Sequence, residues 1–256
     1  MSQPGRLFVV GLGPGAREVM TAQALEAIRR AEVIIGYEGY FAGVADLVEG
    51  KECLALPLTR EIDRARLAVE RLRAGQTVCV ISSGDPGVYA MASLVLECAT
   101  REEGLVEHVV VVPGVSAVNA AAALLGAPLG HDLAVISLSD LLTPWDMIER
   151  RLRAAAEADF VLALLNPKSQ RRDWQYRRAA EILGWHRPTE TPVGIVRNAY
   201  RPGQAVEITT VARMGEPAVD MFTTIIVGSS QTRRFGNAVV TPRGYTVEGG
   251  RNDAAR

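Results

Sequence analysis

A chain of 256 residues, 48% apolar and 22% charged, can bury a large core as one big domain or two ordinary ones. A net charge of −1, with only 5% aromatic residues and no basic run among them, argues against nucleic acid or an anionic membrane as partner. No apolar stretch approaches the roughly 18 residues that span a bilayer, and no basic segment precedes an apolar run at the N-terminus, so the expectation is a cytoplasmic protein without a signal peptide.

The run Leu7-Phe8-Val9-Val10 predicts a short buried strand, which enters the turn Gly11-Leu12-Gly13-Pro14-Gly15. Three glycines strip that turn of side chains, so another molecule can lie on its backbone, while Pro14 stiffens it and removes one amide donor. Thr21 is suited to cap a helix over 21–31. A strand over 33–35, a helix over 61–74 stopped by Gly75, and a strand over 77–81 follow. The turn Ser82-Ser83-Gly84-Asp85-Pro86-Gly87 leads to a helix over 88–99, then a strand over 109–112. Pro113-Gly114-Val115-Ser116 breaks that strand ahead of an alanine-rich helix over 117–125.

Gly126-Ala127-Pro128-Leu129-Gly130 reads as a linker, with His131 beside it in a structural role. Beyond it the pattern restarts with strands over 133–138, 160–165, 193–196 and 222–227 and a short one over 206–210. Thr143-Pro144-Trp145-Asp146 predicts a helix start, with Thr143 as cap and Pro144 in the first turn, and a second helix covers 174–183. Alternating strands and helices imply an α/β fold with parallel sheets, in lobes 1–127 and 128–245 with a frayed tail over 246–256. Cys53, Cys79 and Cys98 form no C-x-x-C pair, and His108, His131 and His186 stand apart, so neither a disulfide framework nor a metal site is expected.

In an open parallel sheet the turns after the strands share one edge, where ligands bind, and the three glycine- or proline-rich turns of the first lobe should converge there. Gly11-x-Gly13-x-x-Ala16 with Glu38 further on also meets the loose dinucleotide pattern of an oxidoreductase or binding module. Against that reading, Pro14 sits inside the fingerprint and the next helix starts too late to present its N-terminus to a pyrophosphate.

Val10-Gly11-Leu12-Gly13-Pro14-Gly15, Ser83-Gly84-Asp85-Pro86-Gly87-Val88-Tyr89 and Pro113-Gly114-Val115-Ser116-Ala117 occur in the order and spacing of the tetrapyrrole methylases, and the chain resembles that family over residues 6–245. Ile136 to Trp145 and Leu165-Asn166-Pro167-Lys168-Ser169 resemble the branch that acts at C17 of precorrin-3B. The resemblance implies two α/β lobes, S-adenosylmethionine as methyl donor in a cleft between them, a homodimer, and a small tetrapyrrole as substrate. It implies methylation of precorrin-3B at C17 with ring contraction to precorrin-4, in cobalamin synthesis. The cobalt-factor III reaction of the anaerobic route is the near alternative; a C11 or C20 methylase fits the Asn-Pro-Lys-Ser stretch less well.

Carried over position by position, donor contacts fall on Gly13, Pro14, Gly15, Ser83, Gly84, Asp85, Val88, Ser116 and Ala117, and on Leu165, Asn166 and Ala199. Ser83 stands where relatives commonly have glycine. Thr223 and Thr224 are further candidates, as part of an apolar wall for adenine. A substrate bearing acetate and propionate groups calls for cations and polar donors, and Lys168, Ser169, Arg171, Arg172, Arg197 and Arg201 gather near the second-lobe turns. Ring contraction needs a base and an acid, for which Asp85, Tyr89, Ser139 and Asp140 are candidates. Asp85 serves equally as a cap for the helix after Pro86.

Overall fold

The structure is a computed structural model that describes residues 5–169 and 172–245. It divides into two compact units, Met1–Ala117 and Val118–Arg256. The first unit comprises β1 (Arg6–Gly11), α1 (Ala22–Arg30), β2 (Val33–Tyr37), β3 (Glu52–Leu56), α2 (Glu61–Arg73), β4 (Thr77–Ser82), α3 (Met91–Ala99) and β5 (Val109–Val112).

These strands form one parallel sheet in the order β3-β2-β4-β1-β5. Both faces are covered, and the period-two alternation of side chains sorts each strand between two cores. Leu7 and Val9, Val33 and Ile35, and Val78 and Val80 face the core built with α2 and α3. Val10, Ile34, Cys79 and Ile81 face the one built with α1 and the 3-10 segment Glu38–Leu47. Full burial pushes the Cys79 thiol far above its ordinary pKa, so it behaves as a core apolar group. Thr21 caps α1 as expected, its Oγ1 accepting from the Ala24 amide at 3.1 Å. The edge strand β3 escaped the sequence reading because its apolar run Cys53-Leu54-Ala55-Leu56 holds none of the β-branched or aromatic residues that mark a strand.

The second unit holds most of α4 (Ala117–Leu125), then β6 (Gly126–Ala127), β7 (Leu133–Ser137), α5 (Trp145–Glu157), β8 (Val161–Leu165), α6 (Trp174–His186), β9 (Pro192–Arg197), β10 (Ala205–Thr210), β11 (Thr223–Val227), β12 (Arg233–Phe235) and β13 (Ala238–Val240). Its main sheet runs β10-β9-β11-β8-β7, and here the parallel expectation needs correction. Only β7 and β8 pair in parallel; β8 with β11, β11 with β9, and β9 with β10 are antiparallel. The physical reason lies in the connections, since no α-helix separates β9, β10 and β11 and a parallel return needs a long crossover.

α5 and α6 cover one face of this sheet through Ile148, Leu152, Tyr176, Ala179 and Ile182. The other face packs Ala121, Ala122 and Leu125 of α4 with Val161, Val196, Ile226 and Val239. That packing puts the division between the units at the start of α4, whereas the sequence suggested residue 127. The expected linker is not loose either: β6 pairs in parallel with β13, within a small sheet ordered β12-β13-β6. The predicted tail over 246–256 lies outside the described residues.

Two helix starts also differ from expectation. Pro144, with φ −55° and ψ 140°, is the N-cap of α5 and makes no side-chain cap bond, so Thr143 has no capping role. α3 begins at Met91 because Tyr89 has φ +51° and Ala90 is extended. Among the described residues, no helix is long and apolar enough to cross a membrane.

Candidate active site

β4, β1 and β5 are neighbours in the first sheet, so their following turns lie side by side at one edge. The turns pack backbone against backbone. The Leu12 amide donates to Ser82 O at 2.8 Å, and Gly13 and Gly84 exchange two backbone hydrogen bonds at 3.1 and 2.8 Å. A Cβ on Gly114 would lie 2.2 Å from Gly84 O, and one on Gly11 would lie 2.6 Å from the same oxygen. Glycine is therefore required at 11 and 114 by the neighbouring turns themselves. Thr21, the cap of α1, also donates through Oγ1 to Pro113 O at 3.2 Å.

Asp85 joins two of these turns. Its Oδ1 accepts from the Gly87 amide at 2.8 Å and its Oδ2 from the Gly114 amide at 3.0 Å, 29 residues away. Both carboxylate oxygens thus hold backbone, but Asp85 caps no helix: α3 starts at Met91 with Ala90 as its N-cap, and the bond to the Gly87 amide lies within the turn. Around this framework Pro14 and Gly84 are buried, Ser83, Ser116 and Ala117 are half-buried, and Gly13 is buried with φ +73°. Gly15, Val88 and Tyr89 are exposed. The segment after the glycine turn is 3-10 over Arg17–Val19, and α1 starts only at Ala22, so no helix N-terminus meets the turn as a dinucleotide site requires.

In the second unit the ends of β7, β8 and β9 and the start of β11 share one edge. Asn166, just past β8, has φ +53° and donates through Nδ2 to Ser137 Oγ at 2.9 Å. Asn198 and Tyr200, just past β9, have φ +50° and +57°. With Tyr89 these make four of the five non-glycine residues with positive φ among the described residues, all in turns that follow strands. Strain of this kind tends to collect at functional sites.

The expected substrate cations fall into different surroundings. Lys168 and Arg197 are exposed, Ser169 is half-buried, and the Arg201 guanidinium lies 5.8 Å from the centre of the Phe222 ring. Arg171 lies outside the described residues. Arg172 is drawn inward: its Nη1 donates to Leu138 O at 2.9 Å and to Asn166 O at 2.6 Å, and its side chain is 13% exposed. Burial pulls its pKa down, with the Asp140 carboxylate opposing. Arg172 therefore ties the turns after β7 and β8 together, in place of the exposed position expected of a substrate cation.

Among the other candidates, Asp140 accepts from Gln175 Nε2 at 2.9 Å and stands 3.9 Å from Arg172 Nε, while Ser139 beside it is half-buried. Leu165 and Ala199 are half-buried at the ends of their strands. Thr223 and Thr224 are buried, and the Thr223 hydroxyl donates to Asp220 Oδ1 at 2.8 Å. Sequence reasoning missed Ser137 and Gln175. For Gln175 a signal exists: it occupies the buried stripe of α6 that continues with Ala179 and Ile182, where an amide needs a partner. Ser137 has none.

Comparison with known proteins agrees with this architecture. The profile of the Tetrapyrrole (Corrin/Porphyrin) Methylases matches residues 6–215. "Cobalt-factor III methyltransferase" of Priestia megaterium is 46% identical over 94% of this chain, which spans only 45% of that protein. "Probable cobalt-factor III C(17)-methyltransferase" of Salmonella typhimurium is 44% identical, with 94% of this chain and 100% of that protein covered. "Precorrin-3B C(17)-methyltransferase" of a Sinorhizobium species is 43% identical, with 94% and 97% covered. The crystal structure of the methyltransferase CobJ superposes with a TM-score of 0.87 at 38% identity, covering 93% of this chain and 100% of that one. With a profile match over most of its length and full-length relatives above 40% identity, this chain belongs to the tetrapyrrole methylases.

Proposed function

We propose that this chain is an S-adenosylmethionine-dependent methyltransferase that methylates precorrin-3B at C17 with ring contraction to precorrin-4, in cobalamin synthesis. The observation that carries the reading is the agreement of two relatives, each matched over nearly its whole length, whose names specify the same C17 position. Their names differ in whether the macrocycle holds cobalt, and the identities of 44% and 43% do not separate the two. The cobalt-factor III reaction is therefore the second reading.

When bound, S-adenosylmethionine supplies an activated methyl group. The chemistry of the first-unit edge suits such a donor. Interlocked glycine turns leave backbone groups and the small residues Gly15, Ser83, Ser116 and Ala117 at or near the surface, where a flat base can approach the backbone. Pro14, Gly13, Gly84 and Val88 complete this set; Leu165, Asn166, Ala199 and Thr224 are donor candidates through the resemblance alone. Thr223, whose hydroxyl is engaged by Asp220, contributes only its position.

The chain's own work is binding and orientation. Positioning an electron-rich ring carbon against an activated methyl supplies most of the rate of such a transfer. Asp85 keeps the donor turns in register through the Gly87 and Gly114 amides. Lys168, Ser169, Arg197 and Arg201 receive the substrate carboxylates, with Arg172 fixing the turn behind them. Tyr89, 61% exposed in a left-handed turn, and Ser139 are the groups assigned to proton transfer during contraction. A homodimer in the cytoplasm completes the proposal, and sedimentation and fractionation test it.

The deciding experiment is side-by-side turnover of precorrin-3B and cobalt-factor III, following one added methyl by mass and the change in the chromophore spectrum. Reaction with neither refutes C17 methylation. Release of a nicotinamide nucleotide on denaturation, in place of S-adenosylhomocysteine, refutes the donor as well.

A further inference from the structure

Leu141 and Leu142 are 83% and 94% exposed, more than any other large apolar side chain among the described residues. They sit at the tip of the turn between β7 and α5, and both flanks of that turn are tied down. On the β7 side the Leu138 amide donates to Leu165 O at 2.9 Å, Arg172 Nη1 donates to Leu138 O, and the Ser139 amide donates to Ser137 Oγ at 3.3 Å. Asp140, immediately before the pair, is gripped by Gln175, which is 2% exposed on α6. On the other side Trp145 opens α5 and packs edge-on against Trp174, with ring centres 4.8 Å apart. Two leucines held out at the end of such a tied turn are displayed by the fold, since apolar surface of this kind normally marks a contact.

Their surroundings say what the contact is. The same sheet edge carries Met221 and Phe222, 45% and 54% exposed at the start of β11. That start lies two strand spacings, about 10 Å, from β7. Lys168 and Arg197 are exposed on the intervening and adjoining turns, and Arg201 lies over Phe222. Apolar surface bordered by cations complements a flat apolar ring whose rim bears carboxylates.

We propose that Leu141 and Leu142 form a rigid apolar prong that packs on the face of the tetrapyrrole macrocycle, with Asp140 and Gln175 as the positioning residues that hold it out. This rests on the tetrapyrrole chemistry of the proposed function, without depending on C17 as the methylated carbon. It also gives Asp140 a tether's role in place of an acid's or base's.

The test uses the full chain and uroporphyrin III as a stable polycarboxylate tetrapyrrole, with its affinity read from quenching of tryptophan fluorescence. In the double variant L141Q/L142Q the dissociation constant should rise about tenfold or more, since two leucine contacts are lost. S-adenosylmethionine affinity, melting temperature and sedimentation coefficient should not change. Gln175→Leu, which fills the same space without the tether, should raise the tetrapyrrole constant about threefold with donor affinity constant. Unchanged uroporphyrin III affinity in the double variant overturns the prong, as does a wild-type chain that does not bind the macrocycle. A fall in sedimentation coefficient overturns it too, making the pair an interface between copies of this chain. If wild-type binds uroporphyrin III and the double variant does not, yet neither corrin precursor is turned over, the prong stands and the C17 reaction falls.

Discussion

Replacing Asp85 by alanine separates a holding role from a chemical one. The substitution leaves the Gly87 and Gly114 amides without their carboxylate acceptor. Hydrogen bonds to a charged acceptor are worth about 1.5–3 kcal/mol each when the partner cannot be replaced by water. Gly87 is exposed, so water substitutes there; the Gly114 amide is partly buried between turns, so most of its loss remains. The expected cost is about 2 kcal/mol, or about 4–8 °C in melting temperature for a chain of this size. Because the tie joins the turns after β4 and β5, donor binding should weaken about tenfold as the site loses preorganisation. Differential scanning calorimetry gives the first number and isothermal titration with S-adenosylmethionine the second. With donor saturating, kcat should recover to within about fivefold of wild type, because the lost contact is not made to the reacting atoms. Asp85→Asn keeps one carbonyl acceptor but turns an NH2 group on the other amide, and should fall between the two. If D85A melts and binds donor like wild type while kcat collapses by about a hundredfold or more, the reasoning is refuted and Asp85 is a catalytic residue.

Four other substitutions probe the second unit. Glu149 on α5 accepts from Arg178, Arg153 and Trp145, and those bonds, Arg178's foremost, hold its pKa at about 2 against the usual 4.5. A carboxyl with a depressed folded value adds stability above its unfolded pKa and loses it as pH falls towards the folded one. Glu149→Gln should therefore cost about 1 kcal/mol at pH 7, after discounting for the partly exposed partners, and almost nothing near pH 2; melting curves across that range check it. A Cβ at Gly194 would lie 2.3 Å from Leu125 Cδ1, so Gly194→Ala should cost about 1–3 kcal/mol by overpacking the seat of α4. Leu125→Ala in the same chain should recover part of that cost in urea melts, an additive result arguing against the contact. Arg172→Ala removes the donor shared by Leu138 O and Asn166 O and should cost about 1–3 kcal/mol. An unchanged melting temperature with weaker substrate binding would return Arg172 to the substrate pocket.

Most strands and helices of the first unit, β3 and the start of α3 excepted, were legible in the chain because local patterns report them directly. Apolar β-branched runs mark β1, β4 and β5, Thr21 marks the start of α1, and Gly75, with φ +87°, marks the end of α2. The three glycine turns were legible for the same reason, and parallel strand order brings turns that follow neighbouring strands to one edge. The purpose of those glycines was not. Sequence suggested room for a ligand; the structure shows that Gly11 and Gly114 are needed for the turns to meet one another.

What only the tertiary structure decided is which groups find each other across long stretches of chain. Asp85 and Gly114 are 29 residues apart, and Arg172 and Leu138 are 34 apart. No local period encodes such a pairing, so a carboxylate and a guanidinium that looked ready for substrate proved to be tying turns together. The antiparallel half of the second sheet was hidden likewise. A strand's burial pattern shows that it lies in a sheet, but not the direction of its neighbours, which depends on how the chain returns between them. Residue pattern thus determined the elements, the glycine turns and the family. Tertiary contact determined which side chains remain available for chemistry, because hydrogen-bond partners are allotted only when the turns close on one another.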